Sequence, residues 1–149
     1  MIESNKNLLL KDLSSRLPYG VKVYDIKSGI NSSFMNLNHV NGIGEVFISY
    51  KLECRTALIE DVKPYLFPLS SMTEEQLIEL KEFTDLKYEH NTLELVEWNG
   101  NCKTLEFWLE EIPSHCVIEV FDWLNKNHFD YRGLIEKGLA IDATGLNIY

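Results

Sequence analysis

Between Pro18 and Pro64 the chain holds four short segments rich in β-branched and aromatic residues: VKVYDI (21–26), FMNLNHV (34–40), EVFISY (45–50) and CRTALI (54–59). Such runs, bounded by turn residues, read as strands. Tyr19-Gly20 makes the first turn, and Asn41-Gly42-Ile43-Gly44 joins the second and third strands as a glycine-bearing hairpin loop. Pro64 and Pro68 then interrupt the strand pattern. Four short strands in about fifty residues fit only a small, strongly curved sheet or an SH3-like barrel. Before them, Leu9, Leu10, Leu13 and Leu17 recur at helical spacing from Lys6 to Arg16, and Pro18 stops that helix.

Ser70-Ser71-Met72-Thr73 opens the second half. Thr73 with Gln76 three residues on forms a capping box, and Met72 with Leu77 a hydrophobic staple. Glu74 and Glu75 suit the positive end of the helix dipole, so a helix is expected over about 74–84. Next, TLELVEWNGNCKTLEFWL (92–109) reads as a hairpin. A three-residue loop, Asn99-Gly100-Asn101, sets Leu95 opposite Leu105, Leu93 opposite Phe107 and Glu97 opposite Lys103. A two-residue loop sets Leu95 opposite Thr104, which scatters the apolar pairs, so the longer loop is expected, with Asn101 left-handed. Beyond Pro113, Ser114 caps a helix ending near 125–127, with an apolar face of Val117, Ile118, Phe121 and Leu124 widened by Val120 and Trp123. A second C-terminal helix is written over Tyr131–Lys137, with Asp130 as N-cap, Phe129 and Leu134 as staple and Gly138 as the left-handed stop. The expected whole is an α+β protein of one domain, 1–149, with a β-rich half (18–70) and a half of helix, hairpin and two C-terminal helices (71–149).

The net charge of −9 is polarised. Residues 1–71 carry 8 Lys/Arg and 7 Asp/Glu, residues 72–111 carry 3 and 11, and residues 112–149 carry 3 and 5. The middle segment repels phosphate backbones, so direct nucleic-acid binding is disfavoured; the segment reads first as a solvated, solubilising face, and its sharper reading is a surface for a basic protein partner. No apolar run approaches the ~20 residues of a membrane span. The first residues, MIESNK, lack the basic-then-apolar character of a secretion signal. Cys54, Cys102 and Cys116 are odd in number and widely spaced, as in thiols kept reduced in a cytoplasm.

Chemistry-bearing motifs are sparse. The chain has no C-x-x-C, H-E-x-x-H, P-loop or G-x-S-x-G pattern, and His115-Cys116 point about 100° apart on a helix. No metal, cofactor or catalytic residue is expected. The densest polar stretch is NKNHFDYRGLIEKGLAID (125–142). Helix punctuation accounts for Asp130, Lys137 and Gly138, and Arg132 can pair with Glu136. His128, Tyr131 and Gly133 keep no role in that punctuation, and the ordinary account of Tyr131 is a buried ring with a hydrogen-bonded hydroxyl. Gly133 costs about 1 kcal/mol inside a helix, which close approach of a ligand would rationalise. His128, Tyr131, Arg132 and Gly133 are therefore the candidate binding residues. Trp98, beside the hairpin turn, joins them as an exposed aromatic, and the hairpin leaves room for a symmetric contact in a homo-oligomer.

The strings RLPYGVKV, DVKPYLFPLSSMTEEQ and DWLNKNHFDYRGLIEKGLA resemble a group of small uncharacterised proteins of phages, prophages and mobile elements of gut anaerobic bacteria. The resemblance implies an accessory protein made in a bacterial host cytoplasm, and it supplies no activity or site residue. The expected function is non-enzymatic binding of a host or phage protein, such as a host defence protein that it inhibits. The other expectation is sequestration of a small nucleotide signal by the ring, guanidinium and glycine of HFDYRG.

Overall fold

The computed structural model describes residues 3–40, 43–50, 53–84, 92–98, 102–108 and 114–149, without the side chains of 38–40, 43–44, 92–98, 102–108 and 114–115. The protein is α+β with a mixed sheet that stays open, so the curved sheet rather than the closed barrel is realised. The chain divides into two compact units, Met1–Leu66 with Arg132–Tyr149, and Phe67–Tyr131. The last eighteen or so residues thus return to the first unit rather than staying with the segment that precedes them.

In the first unit α1 (Glu3–Arg16) is followed by a 3₁₀ turn at Leu17–Tyr19 and by Gly20 in the left-handed region. Strands β1 (Lys22–Asp25), β2 (Ile30–Val40), β3 (Ile43–Tyr50) and β4 (Glu53–Leu58) follow, and β5 begins at Val62. They pair antiparallel in the order β4-β3-β2-β1-β5, and β9 (Ile141–Asp142) adds to β5 in parallel. Strand β3 starts two residues earlier than its apolar run because Val40 pairs with Ile43, tightening the hairpin. A bulge between Phe34 and Asn36 pushes Met35 outward and adds local twist. Inward positions alternate: Val23 on β1, Phe34 on β2, and Val46 and Ile48 on β3 join Leu9 and Leu13 of α1 in one apolar core.

Two expectations fail here for reasons that can be named. Pro64 and Pro68 do not break the pattern; they lie inside β5 (Val62–Pro68). The Ile26 N–H donates to the Asp61 carbonyl at 2.8 Å, which makes Asp25↔Val62 a pair without direct hydrogen bonds. Alternation then places Val23↔Pro64 at another such pair, where the missing N–H faces away from β1. The second failure is the inner face of α1. Leu17 is exposed, whereas Asp12 and Arg16 are fully buried beside Leu9 and Leu13. Arg16 Nε and Nη2 donate to the two Asp12 oxygens at 2.7 and 3.0 Å, a bidentate pair one helical turn apart.

In the second unit α2 (Glu74–Phe83) has the expected capping box: Gln76 N–H donates to Thr73 Oγ1 at 3.3 Å and Thr73 N–H to Gln76 Oε1 at 3.0 Å. Met72 is buried, and Leu77 packs on the same cluster. Strands β6 (Thr92–Trp98) and β7 (Cys102–Trp108) pair in the three-residue-loop register, with Leu95↔Leu105, Leu93↔Phe107 and Glu97↔Lys103. The loop and Asn101 lie outside the described residues. Helix α3 (Ser114–Lys126) buries Cys116, Val120, Trp123 and Leu124, while Ile118 and Phe121 are exposed. Its buried stripe is therefore rotated from the expected one. Trp123 stacks on Phe129 at 5.8 Å and donates its indole N–H to Glu79 at 3.4 Å, so this core is anchored by aromatic rings.

Removing one partner of the buried pair leaves a desolvated charge. Asp12→Ala is expected to destabilise the first unit by about 3–5 kcal/mol in urea unfolding. The double variant Asp12→Leu/Arg16→Met is expected to recover most of that loss.

Candidate functional site

The stretch 125–142 is built from the end of α3 onward. Asn127 N–H still donates to the Trp123 carbonyl, but His128 has φ +59°, the left-handed region that L side chains rarely adopt. The chain leaves the helix there, and the His128 carbonyl accepts from Phe67 N–H at 2.9 Å. Phe129 and Asp130 then form β8, parallel to Phe67 and Pro68 of β5. Asp130 is consequently a buried strand residue and not a helix cap. His128 has its role in the backbone, as the hinge from helix to strand.

The expected second C-terminal helix is absent, and residues 131–138 form turns. Gly133 at φ +68° interrupts any helix at its third residue, and the four that follow are too few to sustain one. What remains is one closed turn: Lys137 N–H reaches Gly133 O at 3.4 Å and Leu139 N–H reaches Leu134 O at 2.8 Å. Gly138, at φ +67°, takes the left-handed position expected of it. A Cβ at Gly133 would meet only the end of Lys137 at 3.1 Å, so conformation and not close approach accounts for this glycine.

Tyr131 has the ordinary role. Its hydroxyl donates to Asn125 Oδ1 at 3.1 Å and its ring lies 5.0 Å from that of Phe121. Arg132 Nε stands 3.4 Å from Asp12 Oδ1, so the Asp12 carboxylate has a second guanidinium beside it. The boundary between the units runs between Tyr131 and Arg132, with His128 and Tyr131 in one and Arg132 and Gly133 in the other. The side chain of Trp98 lies outside the described residues. Among the described residues no group of His, Cys, Asp and Glu could hold a metal ion, Cys54 and Cys116 are free thiols, and no helix is long and apolar enough to cross a membrane.

Two concavities of the first unit escape a reading of the sequence. One, of about 430 Å³, is lined by the turn after β1 and by β4. Four of its five charged residues pair: Asp25 meets Arg55 at 2.9 Å and Lys27 meets Asp61 at 2.6 Å. Asp25 also accepts from Lys27 N–H at 2.9 Å and from the Ser28 hydroxyl at 2.9 Å, closing the turn. Burial pushes its carboxyl up, but the Ser28 and Lys27 hydrogen bonds with the Arg55 charge outweigh that and hold it below the ordinary 3.8. The other concavity, of about 310 Å³, lies over β1, β2 and β3 and contains Lys22. Strand register and the C-terminal segment together assemble its lining, which spans positions 22 to 148.

Compared with protein-family models, curated proteins and solved structures, the chain matches none.

Two outcomes follow from these geometries. His128→Val, a β-branched residue forced into the left-handed region, is expected to lower stability by about 2 kcal/mol in chemical denaturation, with His128→Asn closer to wild type. Because the folded-state pKa of Asp25 is lowered, its stabilisation is complete above the ordinary aspartate value and lost as pH falls through the lower folded value. Acid unfolding of Asp25→Asn should therefore show a shallower pH dependence below pH 3.8 than wild type.

Proposed function

We propose that the protein is a non-enzymatic accessory protein of a phage or mobile element, acting by binding a basic host protein through its Phe67–Tyr131 unit. The inhibition of a host defence protein is the functional form we favour. The observation that carries the reading is the match between structure and charge. The Phe67–Tyr131 unit contains 4 Lys/Arg and 14 Asp/Glu, a net of −10, whereas the rest of the chain contains 10 and 9, a net of +1. Nearly all the acidity thus belongs to one compact unit with its own core. A field of one sign steers a complementary partner and raises its association rate.

The same unit exposes isolated apolar side chains inside the acidic field. Ile78 on α2 is 57% exposed and lies one helical turn from Glu74, Glu75 and Glu82. Ile118 on α3 is 61% exposed and lies one turn from Asp122. Carboxylates around an aliphatic anchor suit a partner whose Lys/Arg-rich face has an apolar hollow, the kind of face that otherwise holds nucleic acid. The candidate residues His128, Tyr131, Arg132 and Gly133 enter this reading as parts of the scaffold.

Capture from a lysate of the bacterial host, with purification of the protein retained, tests the reading. The purified partner should bind wild type at about 50 mM salt and lose affinity steeply as salt rises. Glu74→Gln/Glu75→Gln/Glu82→Gln should slow association, and Ile78→Ser should weaken binding about tenfold or more. Retention of no protein at low salt, or binding indifferent to both variants, contradicts the proposal.

A further inference from the structure

The second concavity of the first unit supports a ligand site that is independent of the acidic unit. Lys22, Ser33 and Ser49 are direct cross-strand neighbours on β1, β2 and β3, so their side chains share one face. That face is opposite to the core, because the alternate residues Val23, Phe34 and Ile48 are the buried ones. Two consecutive serines in the row leave a trough beside the lysine. The 143–149 segment forms its wall through Asn147 and Ile148. This wall is pinned: the Tyr149 hydroxyl accepts from Lys22 N–H at 3.2 Å and donates to the Tyr65 carbonyl at 2.6 Å. Asn147 has φ +48°, in the left-handed region that Asn tolerates.

The donors converge and the acceptors do not. Lys22 Nζ donates one hydrogen bond, to Ser33 Oγ at 2.8 Å, which leaves two of its three N–H groups. Ser33 keeps its own proton, and Ser49 supplies a second hydroxyl. The Tyr65 hydroxyl donates to Asn31 Oδ1 at 2.7 Å, so the Asn31 amide N–H groups remain for the trough. Among the described residues no carboxylate lines this space, and none lies within ion-pair distance of Lys22. In a chain of net charge −9, a lysine surrounded by hydroxyls and amides and by no acid is an anion-binding arrangement. Four donors from three strands exceed what one carboxylate needs and suit the three oxygens of a phosphate. A volume of about 310 Å³ is at the small end of ligand pockets, the size of a mononucleotide rather than a dinucleotide.

We propose that this trough binds a small organic phosphate, with the phosphate on Lys22, Ser33 and Ser49. Titration calorimetry with AMP, ribose 5-phosphate, adenosine and inorganic phosphate tests it. AMP and ribose 5-phosphate are expected to bind saturably, and adenosine and inorganic phosphate about tenfold or more weaker. Lys22→Met should weaken AMP about tenfold or more, as expected for loss of a charge-assisted contact. Lys27→Met, which removes a lysine from the other concavity, should bind as wild type. Circular dichroism of the Lys22→Met variant should match wild type, since the residue lies on the outer face. No saturable binding of AMP, adenosine equal to AMP, or a folded Lys22→Met equal to wild type overturns the proposal.

Discussion

The Asp12 carboxylate organises the first unit. It is fully buried and accepts a fork of two hydrogen bonds from Arg16, with Arg132 3.4 Å away. A buried carboxylate without cations is strongly disfavoured, and two guanidinia beside one carboxylate also need a fixed geometry. The pair therefore ties α1, by the same face that carries Leu9 and Leu13, to the turn that carries Arg132. The strand β9 and the Tyr149 wall lie further along that returning segment, so their placement depends on the same junction. This is specificity obtained from charge: a leucine face alone tolerates rotation about the helix axis, and a bidentate guanidinium does not.

Much of the fold was legible because its signals are local. The capping box at Thr73 and Gln76 needs only four residues, and they determine where α2 starts. The hairpin register followed from matching apolar faces, since Leu95 opposite Leu105 is the pairing that keeps one face apolar. The errors share a different property. The rotated face of α3 depends on what packs against it: Trp123 stacks on Phe129, a residue drawn into β8 by pairing with Phe67. The missing helix depends on the same pairing, which removes Asp130 from its cap. The burial of Asp12 and Arg16 lay outside the leucine spacing from which the inner face of α1 was read. Their i, i+4 spacing in register with Leu9 and Leu13 was the available clue.

The anomalies of the sequence reading were informative even where its conclusion failed. Gly133 sat badly in a short helix, and the resolution is that the helix does not exist. His128 had no task among side chains, and its task is a positive φ. In both cases an unexplained residue pointed to backbone geometry, which sequence spacing does not display. The prolines of β5 belong to the same class. Their acceptability depends on which edge of the strand each missing N–H would face, which the pairing with β1 answers for Pro64.

The distribution of chemistry over the molecule follows from this. The conspicuous residues of 125–142 are committed locally: Tyr131 to Asn125, Arg132 to Asp12, and His128 and Gly133 to turns. A dense polar stretch is what a chain needs when it reverses direction several times in few residues, because each reversal leaves backbone groups and helix ends to satisfy. Lys22, Ser33 and Ser49 are inconspicuous by comparison, polar residues scattered over three strands. Their significance arises from pairing, which sets residues eleven and sixteen positions apart side by side on the outer face. Outward positions of a sheet need no hydrogen-bond partner to fold, so a lysine there is available for a ligand in a way that Arg132, committed to the core, is not.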